Sequence, residues 1–252
     1  MTERQSSSRQ THRLECALDT IVRPANQLLG SLPSADFELL RPHLETVELV
    51  PEDVLVGAGE HLSRVFFPNS GIISLIVSLA TGEMVEVAMI GHDSVFGGTA
   101  ALDGDISLTD AIVQLPGTAS TLKVGHLRFA ANRSVSFRTT LIRHEQALFA
   151  QTQQTAACNA SHSVEARLAR CLLRIRDLVG NGKLPLTQDS LAQMIGVQRN
   201  SVSGVANTLQ HAGILKYNRG NIEIIDLEGL EHVACECYIA VEEQYKRLLN
   251  PE

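Results

Sequence analysis

The chain has 252 residues, 44% hydrophobic and 19% charged, a globular balance with room for two domains and a substantial core. No apolar run approaches the ~18 residues of a membrane span, which excludes an α-helical membrane protein. Residues 1–20 lack the apolar centre of a signal peptide, and the five scattered cysteines fit a reducing cytoplasm better than a disulfide framework. The net charge of −7 is unevenly spread: residues 21–150 hold 14 Asp/Glu against 8 Lys/Arg, whereas residues 165–219 hold 8 Lys/Arg against 3 Asp/Glu. A nucleic-acid-binding protein needs a local positive footprint, not a positive total, so the acidic sum excludes nothing there.

In chain order, residues 1–20 read as a flexible polar tail and 35–44 as a short helix. Apolar or β-branched runs then recur at 54–56, 65–67, 72–79, 84–89, 111–115 and 118–124. They are punctuated by Gly57, Gly59, Pro68, Gly71, Gly82, Gly91, Gly97-Gly98 and Pro116-Gly117. Short strands at regular spacing between Gly/Pro turns predict a β-sandwich or roll. A short helix at 125–132 follows.

Residues 136–160 contain neither Gly nor Pro and read as one long helix. Phe137, His144, Gln151 and Cys158 recur every seven residues, with Leu141, Leu148 and Thr155 between them. That is the spacing of a coiled-coil seam. The alternative is a helix packed on its own domain. On such a seam Cys158 faces the same residue of a second chain, with His162 one turn on, an arrangement open to thiol oxidation. Residues 165–179 predict an amphipathic helix whose Arg167, Arg170, Arg174 and Arg176 are solvated or near a polyanion.

The most specific pattern lies at 187–225. Thr187 is a good helix N-cap, Leu191 and Ile195 make one buried face, and Gly196 makes a turn. A second helix buries Val202, Val205, Ala206 and Leu209, and Gly213 stops it. Its outer face carries Arg199, Asn200, Ser201, Ser203, Gly204 and Asn207. This helix-turn-helix spacing puts the start of the second helix into a DNA major groove, where Arg bonds guanine, Asn bonds adenine, and Ser bonds base or phosphate. Thr187, Gln188 and Gln198, at the helix starts, join that candidate face. A two-helix corner with a solvated polar side gives the same spacing. Strand-like 215–217 and 222–225 flank the turn Asn218-Arg219-Gly220-Asn221 as a wing, from which Lys216 and Arg219 reach phosphate.

Arg167 to Ile225 resembles the DNA-binding domain of the CRP/FNR family. The resemblance rests on Leu186-Thr187-Gln188, Leu191-Ala192, Ile195-Gly196-Val197, Arg199, Val202, Leu209 and Gly213-Ile214-Leu215; the order of segments extends it to about 26–225. It implies an α+β architecture with a cyclic-nucleotide-type β-roll that senses an effector (21–133), a long dimerisation helix (134–160) and a winged helix-turn-helix with a C-terminal helical tail (161–252). The implied partners are double-stranded DNA, a second copy of the chain and, for an activator, RNA polymerase. The effector positions implied are Gly97, Gly98, Thr99, Thr109 and Asp110. Here the chain departs from the family's cyclic-AMP binders: Thr99 replaces the ribose-binding Glu, and Thr109 and Asp110 replace the phosphate grip. Asp110 would repel a cyclic phosphate, so cyclic AMP is not the expected ligand.

Other chemistry finds less support. The nine His are dispersed with no His-x-His pair, so a metalloenzyme of the β-roll class is not expected. A small-molecule-binding or enzymatic roll with an accessory helical domain remains the competing class, and it leaves the Arg199–Asn207 face unexplained. Cys235-Glu236-Cys237 is half of a metal site with no second pair. On a helix its two thiols point apart, which reads as packing with no metal. An iron–sulfur cluster of the FNR kind needs several cysteines near the N-terminus, where only Cys16 stands.

Overall fold

The computed structural model describes residues 24–218 and 220–249. The predicted tail at 1–20, Cys16 and the wing-tip Arg219 lie outside the described residues. Two short helices, α1 (Gln27–Ser31) and α2 (Ser34–Leu40), lead into strands β1 (Glu45–Leu49) to β7 (Gly117–Lys123). Two antiparallel sheets result, ordered β1-β7-β3 (β3, Arg64–Pro68) and β2-β6-β4-β5 (β2, Val54–Val56; β6, Asp110–Leu115; β4, Ile72–Ser78; β5, Met84–Ile90). Their inner faces share one core, with Val65, Phe67 and Leu122 from one sheet and Ile73, Ala88, Ile90 and Val113 from the other. The predicted strands are all present. β1 was missed because Glu45-Thr46-Val47-Glu48 offers no apolar run and is largely exposed.

α3 (Val124–Arg133) closes the roll and α4 (Val135–Ser161) leaves it. The Ser134 hydroxyl accepts from Phe137 N at the start of α4 and donates to Asp36 Oδ1 at 2.6 Å, fixing the helix to α2. α5 (Val164–Val179) then folds back across the outer face of the four-stranded sheet. Ile72, Met89 and Leu115 on that face share a core with Leu168, Leu172 and Ile175. That cover explains why β4 is buried at five successive positions instead of at alternate ones.

The remaining elements are β8 (Lys183–Leu184), α6 (Gln188–Ile195), α7 (Arg199–His211), β9 (Leu215–Asn218), β10 (Asn221–Ile224), α8 (Leu227–Val233) and α9 (Cys237–Leu249). The wing is the sheet β8-β10-β9. α9 returns along α4: Val241 and Tyr245 pack on Ala147, and the Tyr245 hydroxyl donates to Gln151 Oε1 at 3.3 Å.

The seven-residue seam therefore needs correcting. Phe137 and Leu141 are buried in the roll's core, with Leu148 packed against it. His144 is fully buried, its Nε2 accepting from Val95 N at 3.2 Å. Gln151, Thr155 and Cys158 are buried on the side that α9 covers. The periodic face is occupied by its own chain, and Cys158 does not meet its copy: its nearest thiol is Cys235 of the same chain, at 3.5 Å.

Candidate nucleic-acid interface

The helix-turn-helix is set by local sequence. Thr187 Oγ1 accepts from Ser190 N at 3.0 Å and caps α6. Gly196 ends α6 with φ +60°, a left-handed conformation that costs glycine little. α7 follows two residues later and buries Val202, Ala206 and Leu209 against α6 and α5, with Val205 partly buried beside them. The opposite face is left to solvent: Gln198, Arg199, Asn200, Ser201, Gly204 and Asn207 are all exposed.

Two predicted contact residues hold each other. Ser203 Oγ donates to Gln188 Oε1 at 2.5 Å and reaches Arg199 O at 3.1 Å, tying α7 to the start of α6. Both are half-buried. Arg199 Nη1 lies 3.3 Å from Asp189 Oδ2, with both side chains well exposed. Such an exposed pair contributes ~0–1 kcal/mol, so the guanidinium is released at little cost when a stronger acceptor arrives. At Gly204 an added Cβ would meet nothing within 4 Å, so no intramolecular contact requires glycine there.

The positive footprint is smaller than the residue count implies. Arg167 and Arg170 are buried. Arg167 donates to Ile195 O, holding α5 to the end of α6. Arg174 pairs with Asp93 of the roll at 2.8 Å and lies over the Tyr245 ring, and Arg176 pairs with Asp177 at 3.1 Å. The expectation that these arginines are solvated fails because α5 is sandwiched between the roll and α6, leaving most of its surface covered. Among the described residues of the 165–219 segment, the exposed cations are Lys183, Arg199 and Lys216.

The predicted effector positions are engaged in contacts within the roll. Gly97 is left-handed and Gly98 is buried, where an added Cβ would approach Glu145 Oε1 to 2.7 Å. Thr99 O accepts from Gly104 N at 3.0 Å, and Thr109 O from the Ser107 hydroxyl at 2.7 Å. The Asp110 carboxylate accepts from Ala58 N at 2.9 Å and from the Ser78 hydroxyl at 2.8 Å, closing the open end of its sheet. A cavity of about 350 Å³ lies instead where α1, α5 and α9 meet, lined by His92, Asp93, Arg174, Tyr238 and Tyr245 among others.

Two features of the molecule escaped sequence reasoning. Val135, Ile142 and Phe149, two positions from the predicted seam, are 82%, 43% and 64% exposed, and Ala156 continues the same seven-residue step. Two positions are ~200° around a helix, so this stripe lies opposite the buried face. The other feature is a cluster of Cys158, His162, Cys235 and Cys237. Cys235 precedes α9 instead of lying in it, so the two thiols of Cys235-Glu236-Cys237 turn to one side. Burial raises the Cys158 thiol and pushes Cys235 up to about 12.

Residues 166–233 match the Crp-like helix-turn-helix domain. No curated protein matches the chain. Among solved structures, the chain is similar to FixK2 from Bradyrhizobium japonicum, at 18% identity over 76% of this chain and 98% of that one, with a TM-score of 0.67. It is similar to CLP, a c-di-GMP-responsive global regulator from Xanthomonas campestris, at 15% identity over 76% and 99%, TM-score 0.61. A CRP/FNR-family transcription regulator from Thermus thermophilus aligns at 22% identity over 75% and 98%, TM-score 0.59. Among the described residues no helix is long and apolar enough to cross a membrane. Residues 166–233 thus form a Crp-like helix-turn-helix domain, carried on a fold shared with these regulators.

Proposed function

We propose that two copies of this chain associate through α4 and present their α7 helices to paired half-sites in duplex DNA. The observation that carries this reading is the α7 surface: its apolar set is buried while Arg199, Asn200, Ser201 and Asn207 stand exposed around Gly204. Arg199 reads a guanine and Asn200 or Asn207 an adenine, while Thr187, Ser203, Lys216 and the wing-tip Arg219 serve phosphate or hold the frame. The pairing surface is the open stripe Val135, Ile142, Phe149 and Ala156, a self-complementary apolar seam on a 27-residue helix. The roll at 21–133 carries the signal, the helix at 134–160 transmits it and 161–252 reads DNA, in the cytoplasm, with RNA polymerase as the further partner of an activating form. Cyclic AMP does not fit as that signal, because the resemblance implies Asp110 at the phosphate position, and its carboxylate is held by Ala58 and Ser78.

The test is selection of binding sequences from a random duplex pool, followed by titration over a salt series. Wild-type protein selects a two-fold symmetric site, and its affinity falls as salt rises. Arg199→Ala loses about 1–3 kcal/mol and relaxes preference at one base pair of each half-site. A uniform loss over all sequences would make Arg199 a phosphate contact, and an unselective pool would overturn the reading. Gly204→Ala raises stability by about 0.5–1 kcal/mol, because glycine inside a helix costs backbone entropy and nothing blocks the methyl group. If it also abolishes selection, the glycine serves close approach to the groove.

A further inference from the structure

At the junction of the two units, the last turn of α4 meets the link between α8 and α9. Cys158 and His162, one helical turn apart, come from the first; Cys235 comes from the second and Cys237 opens α9. One ligand atom from each of these residues lies within 4.8 Å of all the others. Cys158 Sγ is 3.5 Å from Cys235 Sγ, and Cys237 Sγ is 3.5 Å from His162 Nδ1. A tetrahedral zinc ion with its usual ~2.3 Å bonds to sulfur and ~2.0 Å bonds to nitrogen sets its ligand atoms about 3.5–3.8 Å apart. Two of the cluster's six edges thus come close to those of that tetrahedron, and the other four lie within 4.8 Å.

The surroundings match as well. His162 Nε2 lies 3.2 Å from Glu236 Oε1, so the imidazole turns one nitrogen to the sulfurs and the other to a carboxylate, the arrangement that fixes a metal-bound histidine. Gln154 Nε2 donates to Cys237 Sγ at 3.0 Å. Arg170 and Arg167 are buried, each with an Nε that has no hydrogen-bond partner among the described residues. The charge of Arg170 acts on the Cys158 sulfur, and that of Arg167 is felt with Cys158 and Cys235. Three thiolates around a divalent cation carry a net charge of −1, which such guanidiniums offset. Simple packing of cysteines does not account for the directed histidine; Arg167 also holds Ile195 O, and Arg170 also acts on the buried Glu86.

We propose that Cys158, His162, Cys235 and Cys237 form a Cys3His site for Zn²⁺ that clamps the end of α4 to the start of α9. Binding is not a redox step: three thiols give up three protons, four coordinate bonds form, and the imidazole is neutral. The site is independent of which DNA sequence the protein reads.

The test uses the full chain, purified under reducing conditions without a histidine tag. Elemental analysis gives one zinc per chain, and a chelator that removes it lowers the melting temperature, which added Zn²⁺ restores. Cobalt(II) in place of zinc gives the visible bands of a tetrahedral ion and a thiolate-to-cobalt charge-transfer band. Cys158→Ser and Cys237→Ser lose the stoichiometric ion, Cys16→Ser keeps it, and His162→Cys gives a four-sulfur site that still takes one ion. Glu236→Gln weakens zinc binding about 10–100-fold. If the ligand variants fail to fold, the cobalt spectrum of the wild-type chain decides alone. A folded, reduced wild-type chain that takes up no zinc, an octahedral cobalt spectrum, or unchanged binding in Cys158→Ser,Cys237→Ser overturns the proposal. So does recovery of the chain with a Cys158–Cys235 disulfide that persists under cytoplasm-like reducing conditions.

Discussion

The two faces of α4 repeat every seven residues and meet different fates. On one, Phe137, Leu141 and His144 are sealed by the roll and Gln151 by α9. On the other, Val135, Ile142 and Phe149 remain in solvent. The buried set is the more mixed in chemistry, with a histidine, a glutamine and a threonine. Two of those polar groups have specific intrachain partners: Val95 N donates to His144 Nε2, and the Tyr245 hydroxyl to Gln151. The open set is apolar at each step, as a face built for a second copy should be, because a homotypic seam brings like against like. Periodicity marks that a face is buried; polarity that only one's own chain can answer indicates against what.

The sharpest way to break this comparison is to charge the open face. Ile142→Asp with Phe149→Asp should give a folded monomer whose affinity for a two-half-site operator falls by about 10²–10⁴-fold, since the second half-site is no longer held near. Sedimentation and gel shift measure both; a dimer that survives with full affinity assigns pairing to another surface. On the buried face, Phe137→Ala should cost about 3–5 kcal/mol in urea unfolding, as for a fully enclosed ring, without changing the number of subunits in the folded state. A small loss there would mean that the roll does not depend on this packing. Tyr245→Phe probes the face where α9 covers it. Removing the hydroxyl leaves Gln151 Oε1 without this donor and should cost about 1 kcal/mol, again with no effect on pairing.

Much of this was legible in the sequence where structure is local. The strands between Gly/Pro turns, the cap at Thr187, the left-handed Gly196 and the apolar face of α7 follow from neighbours within a few residues. What escaped depends on long-range placement. Arg167 and Arg170 looked solvated on an amphipathic helix, until the roll and α6 covered both flanks. The contact of Gly98 with Glu145 of α4 likewise joins segments far apart in the chain. Cys158 and His162 have the spacing of a helical ligand pair, yet their partners lie some 75 residues on, in a link whose departure from helix turns Cys235 and Cys237 together. No short window contains that information.

The return of α9 along α4 bears on how a signal could travel. The chain enters the DNA-reading unit through the end of α4 and comes back through α9, with Ala147, Val241 and Tyr245 in contact along the way. A unit joined by one strut can swing freely; one joined by two cannot. With α5 also packed on the roll's four-stranded sheet, rotation of α7 relative to the roll is opposed by that core as well, which leaves shear of α9 on α4 as one motion open to it. Packed helices favour discrete registers over intermediate ones. The two struts would thus convert a graded stimulus at the roll into a choice between a few fixed orientations of the reading head.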